Sequence, residues 1–250
     1  MSCAHCCFSC GKHGKHGDYD VILEGLAFTR DTIGNEFITI GGGEPTLHPR
    51  FFDILKHTLE NFESIWMATN GSRTEIMDRL VNIIDGEDYP ECDCIELYGE
   101  EEYEEYGCRC HEKYDDDSIY QEDKLTIALS LDPWHDAIDE SIKTLWLKRS
   151  NSNYSHFEIN DVSVRGAAAQ GRAKRTQNGY LDHCVCADIM MLPNGKLKMC
   201  GCTASPIIGD IRNGIGDYWE EILQSNAYRD ENCYRKINKE LTRKGKSCLI

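Results

Sequence analysis

The sequence lacks long apolar runs and is poor in positive charge. No stretch of eighteen apolar residues occurs among its 250 residues, which excludes a conventional membrane-spanning helix. Its 27 Lys and Arg residues stand against 43 Asp and Glu residues, so the formal net charge is −16. Because this charge repels a polyanion, we do not expect a nucleic acid partner.

A signal peptide is also missing ahead of the first cysteines, so the sequence predicts a cytoplasmic protein. Cysteine itself is abundant, with 14 residues. In a chain of this length without a secretory signal, so many cysteines indicate metal binding rather than a disulfide framework.

Strand-like and helix-like patterns alternate between residues 35 and 175. Apolar strands are predicted over residues 36–40, 64–69, 125–131 and 157–164. Helices are predicted over residues 51–62, 72–84 and 136–148, with Ser72 and Glu75 as a capping box for the second. This alternation predicts an α/β fold with a parallel sheet and right-handed crossovers.

Polar segments follow three of the predicted strands, at residues 41–43, 69–70 and 130–132. The chemistry of a parallel sheet collects at the carboxyl ends of its strands. We therefore expect these three segments to lie at one functional edge of the sheet.

Four cysteines stand within the first ten residues: Cys3, Cys6, Cys7 and Cys10. The C-x₃-C-x₂-C spacing of Cys3, Cys7 and Cys10 would leave one iron of a four-iron cluster open to a chelating cofactor. A register that uses Cys6 is the alternative, and it needs another cysteine upstream. A zinc knuckle is the competing site, although zinc requires four ligands and usually takes paired C-x₂-C units.

Further along, the chain reads Gly41-Gly42-Gly43-Glu44-Pro45. Glycines permit close backbone approach, and a carboxylate can hold an ammonium group. Together with the cysteine spacing, this segment resembles the radical S-adenosylmethionine (SAM) superfamily. The resemblance implies a partial (β/α) barrel over residues 1–178, a [4Fe–4S] cluster on Cys3, Cys7 and Cys10, and S-adenosyl-L-methionine as cofactor.

The same resemblance implies roles for individual residues. The cofactor-binding residues that it implies are Gly42, Gly43, Glu44, Pro45, Asn70, Ser130, Asp132 and Arg172. His135, three positions after Asp132, is the candidate catalytic residue, and an ordinary surface histidine is the alternative. An acidic, tyrosine-rich segment over residues 86–123 is predicted to be an inserted loop.

Residues 179–250 are predicted to form a small cysteine-rich extension. Cys184 and Cys186 precede a turn at Asn194-Gly195 and Cys200 and Cys202 follow it, so two C-x-C pairs can face each other across a hairpin. The Gly-x₄-Cys of Gly195 and Cys200 resembles the SPASM and twitch extensions of radical SAM enzymes. By that resemblance the four cysteines hold an auxiliary iron–sulfur cluster; zinc and an empty hairpin are the alternatives.

The resemblance implies an enzyme that reductively cleaves SAM and uses the 5′-deoxyadenosyl radical on a substrate, with an electron donor such as flavodoxin or ferredoxin. The twitch-like extension makes a peptide or protein side chain the predicted substrate, ahead of another small molecule. The alternatives are a nucleotide- or nucleoside-modifying enzyme and a non-catalytic metal-binding module. Since only Met1 and Ser2 precede Cys3, we expect either an upstream start that adds a strand and a cysteine, or a barrel without its first strand.

Overall fold

The structure is a computed structural model that describes residues 13–84, 124–131, 138–151, 156–160, 189–200, 205–217 and 220. These residues fall into two compact units. One unit contains the described residues of 29–131 and 138–160, and the other contains residues 13–28 together with those from 189 onward. The boundary predicted between residues 178 and 179 lies outside the described residues, so the division into residues 1–178 and 179–250 stays a prediction.

The first unit is built on a parallel sheet. Its strands are β1 (Ile38–Ile40), β2 (Ile65–Thr69), β3 (Leu125–Ser130) and β4 (Phe157–Asn160). They lie side by side in that order, and each neighbouring pair is parallel. The predicted α/β class and its parallel sheet are therefore confirmed, while the barrel and the C-terminal extension stay predictions.

Three helices of this unit connect or follow the strands: α2 (Phe51–Asn61), α3 (Thr74–Ile84) and α4 (Glu140–Ser150). Their apolar faces pack in the core, where Leu55, Met77 and Trp146 have no exposed surface. The Trp146 ring meets the Phe157 ring edge to face at 4.9 Å between centroids, and its Nε1–H donates to the Ile127 carbonyl. α4 is thereby fixed against β3 and β4.

Two helix starts differ from their prediction. Glu75 does not close the expected capping box, because its carboxylate accepts from the Arg73 guanidinium, and α3 begins at Thr74. α4 begins at Glu140 because Asp139 caps it, accepting from the Ser141 backbone N–H at 2.9 Å. The Ser141 hydroxyl also donates to the Asp139 carboxylate. This bond is the largest cause of the lowered pKa of Asp139, and the Ser141 backbone N–H is the next.

The described part of the second unit contains one helix and an antiparallel sheet. The helix is α1 (Tyr19–Phe28), and the strands are β5 (Met190–Met191), β6 (Lys196–Lys198), β7 (Ile207–Asp210) and β8 (Gly214–Ile215). β5 and β6 form the predicted hairpin, and its turn places Gly195 at φ +78°. β7 and β8 extend the sheet in sequence order.

A small apolar cluster holds this second unit together. Leu197, Met199 and Ile208 form its buried centre, and Phe28 and Met191 pack against it. Gly25 lies inside α1, where a Cβ would come within 2.1 Å of the Met191 sulfur. A side chain at position 25 would therefore require the flexible end of the Met191 side chain to move. No helix in the described part of the chain is both long and apolar enough to cross a bilayer.

Candidate active site at the strand ends

The glycine segment forms an open loop directly after β1. Gly41, Gly42 and Gly43 are exposed, and a Cβ built on Gly41 or Gly42 meets no other atom within 4 Å. Gly42 has a φ of +142°, a conformation that residues with a Cβ rarely adopt. The loop thus presents bare backbone, which a cofactor can approach closely.

Glu44 ends this loop and begins a short 3₁₀ turn over Pro45–Leu47. Its Oε1 accepts from the Thr46 backbone N–H at 3.1 Å and from the Thr46 hydroxyl at 2.6 Å. The carboxylate therefore acts as an N-cap, and Thr46 beneath it is 1% exposed.

The same carboxylate also reaches the end of the neighbouring strand β2. Glu44 Oε1 accepts from the Thr69 hydroxyl at 2.8 Å, and Oε2 accepts from the Asn70 backbone N–H at 2.7 Å. Hydrogen bonds to an ionised acceptor are stronger than neutral ones. One carboxylate thus ties the loop after β1 to the loop after β2, while Oε2, with a single donor among the described residues, keeps capacity for a further one.

The loop after β2 is organised by its own side chains. The Thr69 oxygen accepts from the Gly71 N–H at 3.1 Å, and Asn70 Oδ1 accepts from the Ser72 N–H at 2.9 Å. Gly71 has a φ of +66°, and a Cβ there would lie 2.7 Å from Leu129. The predicted Thr-Asn-Gly segment is thus a buried turn anchored to Glu44.

A row of polar residues follows the carboxyl ends of three neighbouring strands. Ser130 is level with Asn160 in the register, and Asn70 follows Thr69, which is level with Leu129. Asn160 is absent from the sequence-based site, because the strand was predicted to run on to residue 164. Residues 161–164 lie outside the described residues, so the predicted extent of this strand stays a prediction.

The two faces of the parallel sheet differ in chemistry. The face on which the helices pack carries mostly aliphatic side chains, among them Ile65, Met67, Ile127 and Leu129. The other face, here called the polar face, carries Thr39, Trp66, Ala68, Thr126, Ala128, Ser130, Glu158 and Asn160. On it the Trp66 Nε1–H donates to Glu158 Oε2 at 3.0 Å, a pair that the sequence patterns did not indicate.

The structure brings Gly42, Gly43, Glu44, Pro45 and Asn70 together at the first two strand ends and places Ser130 at the third. The other implied site residues, apart from Cys200, lie outside the described residues: Cys3, Cys7, Cys10, Asp132, His135, Arg172, Cys184, Cys186 and Cys202. Cys200 is 1% exposed, and its backbone N–H donates to the Ser205 hydroxyl at 3.0 Å. Among the residues that the structure describes, no three His, Cys, Asp or Glu side chains form a metal-binding group.

Residues 1–89 match the family model of the radical SAM superfamily. Over these residues the chain is similar to the radical SAM superfamily. A search of the curated proteins found no match. The matched segment contains Cys3, Cys7, Cys10, the glycine loop, Glu44 and Asn70, so the resemblance seen in the sequence is confirmed at the level of the superfamily.

The radical SAM match over residues 1–89 indicates an enzyme and implies a [4Fe–4S] cluster and SAM as its cofactors. The described residues fit the SAM part of that assignment. The loop at Gly41 and Gly42 leaves its backbone open, and the Glu44 carboxylate carries a negative charge at the same strand end. An ammonium group is the ligand that such an edge would attract.

Proposed function

We propose that this radical SAM enzyme modifies a side chain of a peptide or protein. The observation that carries the reaction class is the hydrogen-bonded strand-end site at Glu44, within the segment that matches the superfamily. The chemistry that the cluster would supply when bound is one-electron reductive cleavage of SAM to methionine and a 5′-deoxyadenosyl radical, which would take up a hydrogen atom from the substrate as 5′-deoxyadenosine.

In this proposal the chain's own residues bind and orient. Cys3, Cys7 and Cys10 hold the cluster, and the backbone of Gly42 and Gly43 lets the methionyl end of SAM approach β1. Pro45 fixes the first turn of the 3₁₀ helix beneath Glu44. The remaining SAM-binding residues of the proposal are Asn70, Ser130, Asp132 and Arg172.

Further features of the proposal come from the sequence alone. His135, three residues after Asp132, is assigned a catalytic role near the substrate. Cys184, Cys186, Cys200 and Cys202 are assigned an auxiliary iron–sulfur cluster or zinc in a twitch-like extension. A reduced flavodoxin or ferredoxin is the proposed electron donor, and the cytoplasm is the proposed location.

Support for the peptide substrate comes from the cysteine-rich hairpin. β5 and β6 pair as a hairpin with Gly195 in its turn, and Cys200 follows β6 in a buried position. Extensions of the SPASM and twitch kind accompany peptide modification in the superfamily that the sequence resembles. A nucleotide or nucleoside substrate is not favoured by any described contact.

Anaerobic reconstitution with iron and sulfide tests the reaction class. We expect roughly four irons per chain for one cluster, more if the hairpin also binds one, and dithionite-dependent formation of 5′-deoxyadenosine from SAM. A chain that takes up only zinc and forms no 5′-deoxyadenosine would be a metal-binding module. The substrate class is then tested by incubating the enzyme with deuterium-labelled synthetic peptides. A peptide substrate should transfer deuterium into 5′-deoxyadenosine.

A further inference from the structure

The polar face of the parallel sheet is unusual in its composition. Parallel strands that are covered on both faces read as nearly continuous aliphatic sequence. Here the polar face carries hydroxyl, methyl, amide, indole and carboxylate groups and no Val, Ile or Leu in the registered positions. Such a surface suits contact with a polar ligand better than packing in a hydrophobic core.

Trp66 and Glu158 meet on this face across the intervening strand. Trp66 lies on β2 and Glu158 on β4, two strand spacings or about 10 Å apart in the backbone. Their registered neighbours on β3 are Thr126 and Ala128, whose short side chains leave room for the indole to reach the carboxylate. Ala128 has no exposed surface, so the pair lies over a closed floor.

Within the described part of the chain, the Glu158 carboxylate accepts a hydrogen bond from one neutral donor. Trp66 Nε1–H donates to Oε2 at 3.0 Å, and within the described residues no Lys or Arg forms an ion pair with Glu158. The two side chains are half-buried, so the charge is partly withdrawn from water. A half-buried carboxylate is stabilised more by a cationic hydrogen-bond partner than by a neutral one. Among the aromatic side chains, the indole ring attracts a cation most strongly.

We propose that Glu158, oriented by Trp66, binds a protonated amine or guanidinium of the substrate, so that the enzyme selects cationic peptides. This inference rests on the proposed function and assigns a charge to its substrate. Glu158 lies two residues before Asn160, the last described residue of β4, and about 7 Å from it along the strand. The cationic group is therefore bound beside the strand-end site, at a distance that a lysine or arginine side chain spans.

Peptide pools test the proposal without knowledge of the natural substrate. The probes are acetylated and amidated hexapeptides, randomised except for one central residue that is lysine, arginine, norleucine or citrulline. The full-length reconstituted enzyme is incubated with each pool, and the bound fraction is measured by ultrafiltration and mass spectrometry. The wild type should retain the lysine and arginine pools at least about tenfold better than their neutral counterparts.

The Glu158→Gln variant should reduce this preference to within about twofold, since the amide removes the charge but can still accept from Trp66. A net charge of −16 attracts cationic peptides in general, so Glu60→Gln, an exposed site on α2, is the matched control and should keep the preference. Equal retention of the pools by the wild type overturns the proposal. A preference that survives in Glu158→Gln also overturns it.

A second variant and an activity assay distinguish failure of this proposal from misfolding and from failure of the proposed function. If Glu158→Gln does not fold, Trp66→Phe replaces it, and the preference should then fall about threefold or more because the carboxylate loses its donor and the cation its indole. An unchanged preference in Trp66→Phe contradicts the proposal. Dithionite-dependent 5′-deoxyadenosine formation is measured on the same wild-type sample, and its absence rejects the proposed function without bearing on the charge preference.

Discussion

Glu44 Oε2 accepts a 2.7 Å hydrogen bond from the backbone N–H of Asn70, and this contact joins the loops after β1 and β2. The two strands are parallel neighbours, so both loops emerge at the same edge of the sheet. Thr69 adds a second bond to the same carboxylate at 2.8 Å. Glu44 therefore shapes the strand-end site in addition to any contact that it makes with a cofactor ammonium.

The Glu44→Gln variant should lose both stability and SAM affinity. An amide NH₂ in place of Oε2 faces the Asn70 N–H donor to donor, which costs about 1–3 kcal/mol in the free energy of unfolding. The lost charge should weaken SAM binding roughly ten- to a hundredfold. Thermal unfolding without SAM and equilibrium binding of SAM measure the two effects.

Two further variants separate these roles of Glu44. Thr69→Val removes one donor to the carboxylate and keeps the charge, so it should lower stability while weakening SAM binding less than Glu44→Gln does. Glu60→Gln on α2 should change neither property. If Glu44→Gln binds SAM with unchanged affinity, Glu44 has a structural role alone.

Substitution of Gly42 by alanine should disturb the glycine loop more than the same change at Gly41. Both sites have space for a Cβ, but Gly42 has a φ of +142° and Gly41 lies outside that range. Gly42→Ala should therefore cost on the order of 1–3 kcal/mol in backbone strain. Gly41→Ala should leave the free energy of unfolding unchanged or raise it by up to about 1 kcal/mol. Equal unfolding curves for the two variants would contradict the predicted backbone strain at position 42.

The cluster register is tested by single cysteine variants. Cys3→Ala, Cys7→Ala and Cys10→Ala should each abolish 5′-deoxyadenosine formation, because a missing thiolate leaves the cluster unbound or unreactive. Cys6→Ala is the matched control and should retain activity. Activity kept in Cys7→Ala but lost in Cys6→Ala would show that the alternative register is correct.

The C-terminal cysteines are predicted to hold a metal of their own. A Cys200→Ala/Cys202→Ala double variant should contain less iron or zinc than the wild type yet still cleave SAM, because the SAM-binding cluster is proposed to use Cys3, Cys7 and Cys10 instead. Cys248→Ala is the control, since it lies outside the two C-x-C pairs. Metal analysis and 5′-deoxyadenosine assays measure the outcome, and unchanged metal content in the double variant rejects the site.

Asp210 should make stability depend on pH in the acid range. Hydrogen bonds from the Asn213 side chain, followed by the Asn213 and Arg212 backbone N–H groups, lower the pKa of the Asp210 carboxyl. A lowered folded-state pKa stabilises the protein above the unfolded value of about 3.9, and this stabilisation is lost as the pH falls through the folded value. The wild type should therefore exceed Asp210→Ala in unfolding free energy from about pH 5 upward and approach it below about pH 4. A difference that is constant over this range would contradict the assignment.

Local periodicity was enough to predict the parallel unit. The spacing of Phe51, Ile54 and Leu55 predicts α2, and the alternation of Leu125 to Ser130 predicts β3, because burial against a neighbouring layer imposes those patterns. Helix starts were predicted less well. Glu75 pairs with Arg73 and Asp139 caps α4, and the choice among several local partners depends on the folded backbone.

The sequence by itself determined the resemblance to the radical SAM superfamily and the first two strand-end segments, because the cysteine spacing and Gly-Gly-Glu-Pro are short local motifs that encode their chemistry locally. Only the tertiary structure decided that Glu44 bonds to Thr69 and Asn70, 25 and 26 residues away, and that Trp66 meets Glu158, 92 residues away. Strand order and register create those contacts. A period-two pattern along one strand cannot indicate which residue of another strand will lie beside it.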